Sequence, residues 1–458
     1  MVTIVSEITS DAGSARAPSA GALLRLSGSA FLVLAAEPTF VLVDTAVVGH
    51  LGRVPLGALG VGGTLLSLVA MLGAFLDYGT TSRAARWFGA GHRGRAIDEG
   101  VAATVLALLL GAVGVVIGEL AAGPMLDLLA GGPGPVAHAA AQWFRIAVLG
   151  VPGMLVVLAG NGWMRGVQNT RQPVRIVVVA NVLSAAASPV LVYPLGMGLA
   201  GSAVANLGAQ LVAGLLFMRA LHVERRFWRP CRRLLVGQLR TARDLLGREV
   251  GFQVALLTAA AVAARMGAGV LAAHQIGLEC WEFTALLLDS FAIAAQSLVG
   301  AALGAHDPVH ARRVAWQVAR CGAYAGVAFG AALAAGWWLI PAAFTSSAVV
   351  RHQAHILWPF FFGMQPAAGV VFALDGVLVG AGDVGFLRTV TIVATVGVYA
   401  PLAIAALHWH WGVAGIWAGL TAAIMVRLVG MVWRCASGRW VVLGTATPQQ
   451  ISGAASDV

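Results

Sequence analysis

Two stretches with the same pattern of small residues lie about half a chain apart: LGRVPLGALGVG at residues 51–62 and MGAGVLAAHQIG at residues 266–277. They pair Gly52 with Gly267 at an offset of 215 residues. Five further pairs keep an offset of 214 or 215: Gly89 with Gly304, Pro152 with Pro366, Gly166 with Gly380, Gly198 with Gly412 and Gly201 with Gly415. Glycine is common in this chain, so one pair means little, but six ordered pairs predict an internal repeat.

The composition indicates that both copies of the repeat lie in lipid. The 458-residue chain is 59% hydrophobic and only 10% charged, whereas soluble domains carry roughly 25% charged residues. An ordinary soluble enzyme and a disordered chain are both excluded. All 29 basic residues are arginine, which excludes the lysine-dependent P-loop and Schiff-base enzymes. The four cysteines form no CxxC pair and indicate neither a zinc site nor a disulfide framework.

Twelve stretches are apolar enough to cross a bilayer, whose core of about 30 Å needs about 20 residues of helix. They lie near residues 22–49, 55–82, 97–122, 137–162, 174–194, 199–221, 243–264, 270–303, 312–339, 353–380, 388–407 and 412–434. Each copy of the repeat contains six spans, and because six is even, both copies enter the membrane the same way up. The prediction is an all-α membrane protein in which two parallel six-helix lobes meet at a cleft.

The arginines predict the orientation of the chain and its domain boundaries. They concentrate after spans 2 and 4 and between spans 6 and 7, whereas the opposite side holds Arg53, Arg265 and Arg351. Because arginine collects on the cytoplasmic side, both termini are expected there, and the positive charge does not indicate a nucleic-acid partner. The predicted parts are a tail over 1–21, an N-lobe over 22–221, an arginine-rich linker over 222–242, a C-lobe over 243–435 and a tail over 436–458.

Two acids on span 1 are candidates for a coupling site. Glu37 and Asp44 are seven residues apart, almost two helical turns, so both lie on one face. Pro38 cannot donate a backbone hydrogen bond to Leu34 and is expected to kink the helix. An acid at membrane depth costs about 2.5–3.5 kcal/mol on insertion scales. Two interpretations are open: a cation or proton site, or a structural acid paired with a residue such as Arg145.

The second half carries polar residues at similar depth. On span 8, gaps of 4, 3, 7 and 7 residues keep five polar residues on one stripe: Gln275, Glu279, Glu282, Asp289 and Gln296. Span 10 holds Asp375, with Gln365 and Pro366 a few turns earlier. A substrate cavity is predicted from Glu282, Asp289, Gln296, Gln365 and Asp375. A seam of hydrogen bonds between helices is the alternative.

Other patterns are better explained by structure than by chemistry. Asp77, near the cytoplasmic end of span 2, is expected to form a surface ion pair with Arg83. FGAGHRG at 88–94 and VGAGDVG at 379–385 fit GxGxxG, but each follows a membrane helix, so both are interpreted as tight turns. The sequence contains no HExxH or GxSxG motif. No bound metal and no enzymatic activity are therefore expected.

Several ordered segments resemble multidrug and toxic compound extrusion (MATE) transporters, in particular their DinF-like branch. They are EPTFVLVDTAVVGHLG at 37–52, AAHQIGLECWEF at 272–283, DSFAIAAQSLVG at 289–300 and DGVLVGAGD at 375–383. The resemblance runs from about residue 22 to 435 and implies two six-helix lobes around a central cavity, with export coupled to inward flow of H⁺ or Na⁺.

The resemblance also implies site residues. The span 1 acid of the family falls on Asp44, its span 10 acid on Asp375, and its asparagines of spans 4 and 5 on Asn161 and Asn181. Members with a cation network at span 1 often have an acid or asparagine further along span 5. Here Ser184 and Ser188 stand at those places, which favours a proton at Asp44 over Na⁺.

The predicted function is efflux of organic, cationic or amphipathic compounds by cation-coupled antiport, with alternating access of the two lobes and hinges at Pro38, Pro152 and Pro366. No cofactor is expected beyond the coupling ion, and the expected setting is the bacterial cytoplasmic (inner) membrane, as a monomer.

The alternative is a flippase for lipid-linked precursors or amphiphiles. Such flippases tend to line the cleft with basic residues, whereas this sequence offers Arg145 and Arg427 at membrane depth. A membrane-embedded enzyme would need a clustered metal or nucleophile motif, and the sequence shows none.

Overall fold

The structure is a computed structural model that describes residues 20–225 and 232–445. The side chains of residues 20–26, 29 and 37 lie outside the described part. The predicted role of Glu37 therefore falls outside the described residues, as do most of the predicted tails. Throughout the described ranges the secondary structure is helical, and no strand occurs in them.

The helices follow the predicted spans. In the first half, spans 1 to 6 are Ala20–Gly49, Arg53–Gly73 continued by Phe75–Gly89, Arg93–Leu129, Pro135–Val148 with Val151–Gly166, Arg171–Val192, and Leu199–Glu224. In the second half, spans 7 to 9 are Arg232–Met266, Ala268–Gly304 and Pro308–Ala335, and the short helix Leu339–Phe344 follows. Span 10 is Ala348–Gly380, span 11 is Val384–Ala394 and Ala400–His408 joined by a π-helical turn at Thr395–Tyr399, and span 12 is Gly412–Ser437.

The number of membrane spans agrees with the prediction. Among the described residues, eleven helices are long and apolar enough to cross a membrane. Span 4 is the twelfth when its two halves, which are bent by 52°, are counted as one span. The predicted all-α membrane fold with twelve spans is therefore confirmed.

The internal repeat is visible in the helix lengths. Arg53–Gly89 and Ala268–Gly304 each contain 37 residues, and spans 6 and 12 each contain 26. The two 37-residue segments begin after glycines with φ of 120° at Gly52 and 121° at Gly267. Glycine adopts this backbone conformation readily, whereas other residues are strained there. The glycine pair that indicated the repeat thus has the same conformation in both halves.

Backbone contacts divide the chain into two compact units. The N-unit is Leu32–Ala242, and the C-unit is Arg243–Val458 together with the chain up to Phe31. Residues 222–224 and 232–242 of the predicted linker are helical, as the end of span 6 and the beginning of span 7. A basic segment can be helical as well as extended, and this one is helical over these residues. The domain boundaries inferred from arginine content stay a prediction.

Glycines allow the helices of the C-unit to approach backbone to backbone. A Cβ atom at Gly322 of span 9 or at Gly369 of span 10 would overlap the backbone of the other residue. On the other side of span 10, Gly376 and Gly380 lie directly against the backbone of span 8. Lipid provides no hydrophobic drive for helices to associate, so such close packing holds them together. Span 10, which carries Asp375, is thereby fixed between spans 8 and 9.

The three predicted hinge prolines lie in different surroundings. Pro38 is exposed and lies inside the continuous helix of span 1, and Pro366 lies inside the continuous helix of span 10. Pro152 is in the first turn of Val151–Gly166, directly after the 52° bend of span 4. A hinge role stays a prediction for all three, and Pro152 is the one that coincides with a bend between helices.

Candidate coupling and substrate sites

Asp44 is buried in the N-unit and is held by two serine hydroxyls. Ser188 Oγ of span 5 donates to Asp44 Oδ1 at 2.6 Å, and Ser202 Oγ of span 6 donates to Asp44 Oδ2 at 2.6 Å. Ser202 Oγ also accepts a hydrogen bond from Trp143 Nε1 of span 4 at 3.1 Å. The residue is 3% exposed. We call these four residues the Asp44 cluster; each carboxylate oxygen in it has its own hydroxyl partner.

The described partners of Asp44 carry no charge. Arg145, the intramembrane partner considered from the sequence, is exposed, and its Nε lies 3.9 Å from Glu119 Oε2. It is therefore not the partner of Asp44. Hydroxyl donors stabilise a carboxylate but leave its charge uncompensated. A proton would remove that charge without any further ligand.

The two asparagines carried over from the family do not hydrogen-bond to Asp44. Asn161 is buried, and its Oδ1 atom has no hydrogen-bond partner in the described part of the chain. Asn181 donates from Nδ2 to the carbonyl of Val177 on its own helix at 2.9 Å. Ser184 donates to the carbonyl of Ala205 in span 6 at 3.0 Å. Sequence reasoning thus found Asp44 and Ser188 but missed Ser202 and Trp143.

Asp77 forms a buried ion pair, so the predicted surface pair with Arg83 is wrong. Arg165 Nη1 of span 4 donates to Asp77 Oδ2 at 2.6 Å. Arg83 pairs instead with Glu99 of span 3, at 2.8 and 2.9 Å, and both side chains are buried. Gln238 Nε2, from the beginning of span 7, donates to Glu99 at 3.4 Å. Spacing along one helix could not show these partners, because they come from other spans.

Asp375 in the C-unit lies between two buried arginines. Arg248 Nη1 of span 7 donates to Asp375 Oδ2 at 2.6 Å, and Arg427 Nη2 of span 12 donates to Oδ1 at 2.8 Å. Glu249 Oε1 accepts from Arg248 Nη2 at 2.8 Å, and the Arg427 guanidinium lies over the ring of Phe252, 5.0 Å from its centroid. Two positive and two negative side chains balance, so this cluster has no surplus negative charge to attract a cation.

The other predicted cavity residues differ in burial. Glu282 is exposed and Asp289 is half-buried, whereas Gln296 and Gln365 are buried. Neither side-chain polar atom of Gln365 has a hydrogen-bond partner in the described ranges. The polar stripe of span 8 therefore runs from an exposed end to a buried end. The role of these residues in a substrate cavity stays a prediction.

A buried histidine in the C-unit was not singled out from the sequence. The ring of His274 packs edge-on against Trp417 with 6.1 Å between centroids, and Trp417 contacts Phe361 in turn. His274 is 1% exposed, and no hydrogen bond to either ring nitrogen occurs among the described residues. Over the same ranges, no group of three His, Cys, Asp or Glu residues could hold a metal ion.

Comparison with known proteins identifies the family. The MatE family model matches residues 30–190 and 250–405. The chain is 32% identical to Protein DETOXIFICATION 44, chloroplastic, of Arabidopsis thaliana, over 93% of this chain and 84% of that protein. It is also 32% identical to DNA damage-inducible protein F of Escherichia coli (strain K12), over 87% of this chain and 88% of that protein. The crystal structure of MATE in the bent conformation has the same fold, with a TM-score of 0.84 and 21% identity, covering 91% of this chain and 95% of that one.

The repeated twelve-span fold and these relatives define a multi-pass membrane protein of the transporter class. The resemblance seen in residues 37–52, 272–283, 289–300 and 375–383 is confirmed. This chain belongs to the MatE family, the multidrug and toxic compound extrusion transporters, whose members are transporters and not enzymes.

Proposed function

We propose that this protein is a proton-coupled efflux antiporter for cationic or amphipathic organic compounds, and that Asp44 carries the coupling proton. One observation carries the proposal: Asp44 is a buried acid whose described partners are two uncharged hydroxyls. A sodium ion at this place would need several oxygen ligands, such as carbonyls or further acids. Ser184, a possible ligand, donates to Ala205 instead. The cluster therefore favours a proton.

The contacts of span 1 link protonation of Asp44 to movement. Leu42 of span 1, which lies beside Asp44, is 71% exposed. Among the described residues, three hydrogen bonds join span 1 to other helices: the two from serines to Asp44, and the one from the Tyr193 hydroxyl to the carbonyl of Val47 at 2.6 Å. Protonation weakens the hold of both serines on Asp44, because hydrogen bonds of a neutral acid lack the charge assistance of those made to a carboxylate. Span 1 can then shift at Pro38, and alternating access follows from that shift.

Export driven by a proton gradient tests the proposal. Asp44→Asn should abolish export of a cationic dye from proteoliposomes under an imposed pH gradient, because the amide cannot gain or lose the coupling proton. Glu119→Gln is the matched control, since Glu119 is a partly exposed acid of the same unit and its loss should leave export unchanged. A sodium gradient applied to the wild-type protein should drive no export. Dye export by Asp44→Asn at the wild-type rate would refute the proposed function.

A flippase for lipid-linked precursors or amphiphiles is the alternative from the same superfamily. It would need basic residues at membrane depth that are free to bind a phosphate headgroup. Of the two arginines that the sequence places at that depth, Arg427 donates to Asp375, which also accepts from Arg248, and Arg145 lies near Glu119. These contacts favour export of organic compounds. Transfer of a fluorescent phospholipid in the same proteoliposomes, sensitive to Arg427→Gln and insensitive to the pH gradient, would support the flippase instead.

A further inference from the structure

The two serines that hold Asp44 differ in their own hydrogen bonds. Ser202 Oγ donates to Asp44 Oδ2 and accepts from Trp143 Nε1. Ser188 Oγ donates to Asp44 Oδ1, and among the described residues no further hydrogen bond involves this hydroxyl. The carboxylate therefore has two hydroxyl partners: that of Ser202, which Trp143 holds in place, and that of Ser188, which no second hydrogen bond among the described residues holds.

The indole fixes the direction of the Ser202 hydroxyl. An indole N–H is a donor and cannot accept, so Trp143 occupies a lone pair of Ser202 Oγ and directs the Ser202 proton towards Asp44. If Ser202 had to accept a proton from Asp44 as well, two donors would converge on its oxygen and its own proton would need a new acceptor. Reversal at Ser202 is therefore costly, because both lone pairs of its oxygen would have to accept and its proton would have to leave Asp44.

Ser188 can reverse its hydrogen bond without such a cost. A serine or threonine hydroxyl inside a helix can donate to the carbonyl four residues earlier. In this chain Thr39 donates in this way to Ala35 and Thr395 to Thr391, at 2.7 and 2.8 Å. For Ser188 the equivalent acceptor is the carbonyl of Ser184. After that rotation, Ser188 Oγ presents a lone pair to Asp44.

We propose that the coupling proton binds at Oδ1 of Asp44, that Ser188 switches from donor to acceptor, and that Trp143 and Ser202 form a fixed donor arm at Oδ2. In the ionised state both oxygens accept a hydroxyl proton. In the protonated state Oδ1–H donates to Ser188 Oγ, the Ser188 proton turns to Ser184 O, and Oδ2 continues to accept from Ser202. This inference rests on the proposed function of Asp44, and it makes Trp143 and Ser202 positioning residues.

The ionisable groups on the neighbouring helices have other partners or lie far away. In span 4, Arg145 lies near Glu119, and His138 hydrogen-bonds with Gln142. In span 5, Tyr193 donates to Val47, and the nearest arginine precedes Ser188 by 13 residues, about 20 Å of helix. Span 6 has no ionisable residue between positions 199 and 218. Glu37, almost two turns from Asp44 on span 1, lies outside the described side chains.

Infrared spectroscopy of the purified full-length protein tests the two arms separately. The carbonyl stretch of the protonated acid is followed through a pH series, with Asp44→Asn as the blank that isolates the signal of Asp44. Ser202→Ala removes a donor that both forms keep but that binds the carboxylate more strongly than the neutral acid. The midpoint of protonation should therefore rise by about one pH unit, a tenfold change in proton affinity. Ser188→Ala removes a donor from one form and an acceptor from the other, so its shift should be less than half as large.

Ser202→Thr keeps the hydroxyl and should therefore have the wild-type midpoint. Trp143→Phe tests the same arm at a second residue, and it should shift the midpoint in the same direction as Ser202→Ala. The double variant should shift no further than Ser202→Ala alone, because both changes disable one arm, whereas Trp143→Phe and Ser188→Ala should add. If Ser202→Ala does not fold, the variants Trp143→Phe and Ser188→Ala test the two-arm arrangement, which requires that Trp143→Phe shifts the midpoint and that the two shifts add.

The outcomes separate this inference from the proposed function. Equal shifts for Ser188→Ala and Ser202→Ala, or no shift for Trp143→Phe, would overturn the two-arm arrangement while Asp44 could still be the coupling residue. Export by Asp44→Asn at the wild-type rate would overturn the coupling role itself, whatever the infrared shifts are.

Discussion

Asp44 and Asp375 are both acids at membrane depth, and their neighbours give them opposite electrostatics. Ser188 and Ser202 stabilise a charged Asp44 but add no compensating charge. Arg248 and Arg427 compensate Asp375 fully. A proton that binds at Asp44 therefore changes the net charge of its surroundings from negative to neutral. Loss of the charge of Asp375 would instead leave two buried guanidinium groups short of one counter-charge.

Removal of the Asp375 charge should destabilise the protein. Asp375→Asn leaves Arg248 and Arg427 without their shared partner, and breaking a buried ion pair from one side costs about 3–5 kcal/mol. The double variant Asp375→Asn with Arg427→Gln should recover most of the loss, because the surplus positive charge is gone. Thermal unfolding in detergent measures both, with the exposed Glu282→Gln as the matched control. A double variant as unstable as Asp375→Asn would contradict the charge-balance explanation.

The acids could be found from the sequence because each is costly in lipid, but their partners could not. Ser188 and Ser202 are 144 and 158 residues from Asp44, and Arg248 is 127 residues from Asp375. Periodicity along one helix contains no information about such distant contacts. One signal was available: Ser202 in GLAGSAVA stands where the second half has Ile416 in GVAGIWAG. A hydroxyl in one copy opposite an isoleucine in the other marks a position at which the two halves differ in chemistry.

The packing of the helices depends on glycines at which two backbones touch. Gly369→Ala should destabilise the protein by roughly 1–3 kcal/mol, because the added Cβ overlaps the backbone of Gly322 and forces spans 9 and 10 apart. Gly363→Ala on the same helix is the matched control, since a Cβ there meets nothing within 4 Å. The midpoints of thermal unfolding compare the two. Equal stability would show that spans 9 and 10 can separate without cost.

Sequence periodicity predicted the number of spans better than their shape. Hydropathy depends on composition, which is the same for straight and bent helices, so the 52° bend of span 4 and the π-helical turn at Thr395–Tyr399 were not predicted as breaks. Pro152 gave the one hint, because a proline near a helix start removes a backbone donor. The helical beginning of span 7 was missed for a related reason: arginine in residues 232–242 lowers hydropathy but does not oppose helix formation.

The two halves of the chain share their pattern of helices but not their polar residues. At the repeat offset of 215 residues, Asp44 corresponds to Ala259, so the proposed proton site has no equivalent in the second half. At the offset of 214, Asp375 corresponds to Asn161, an uncharged residue. The fold therefore follows from repeated small and apolar residues, whereas the proposed coupling depends on residues that break the repeat. A repeat search alone identifies the architecture and misses the site.

The orientation of the molecule follows from its arginines and can be tested on two loops. His92 and Pro133 are exposed and lie at opposite ends of span 3, whose 37 residues extend about 55 Å. The arginine distribution predicts that the His92 loop is cytoplasmic and the Pro133 loop is external. In a background without the native cysteines, a membrane-impermeant maleimide should label Pro133→Cys in intact cells and His92→Cys only after permeabilisation. The reverse pattern would invert the topology, and with it the side of the membrane from which the proposed coupling proton reaches Asp44.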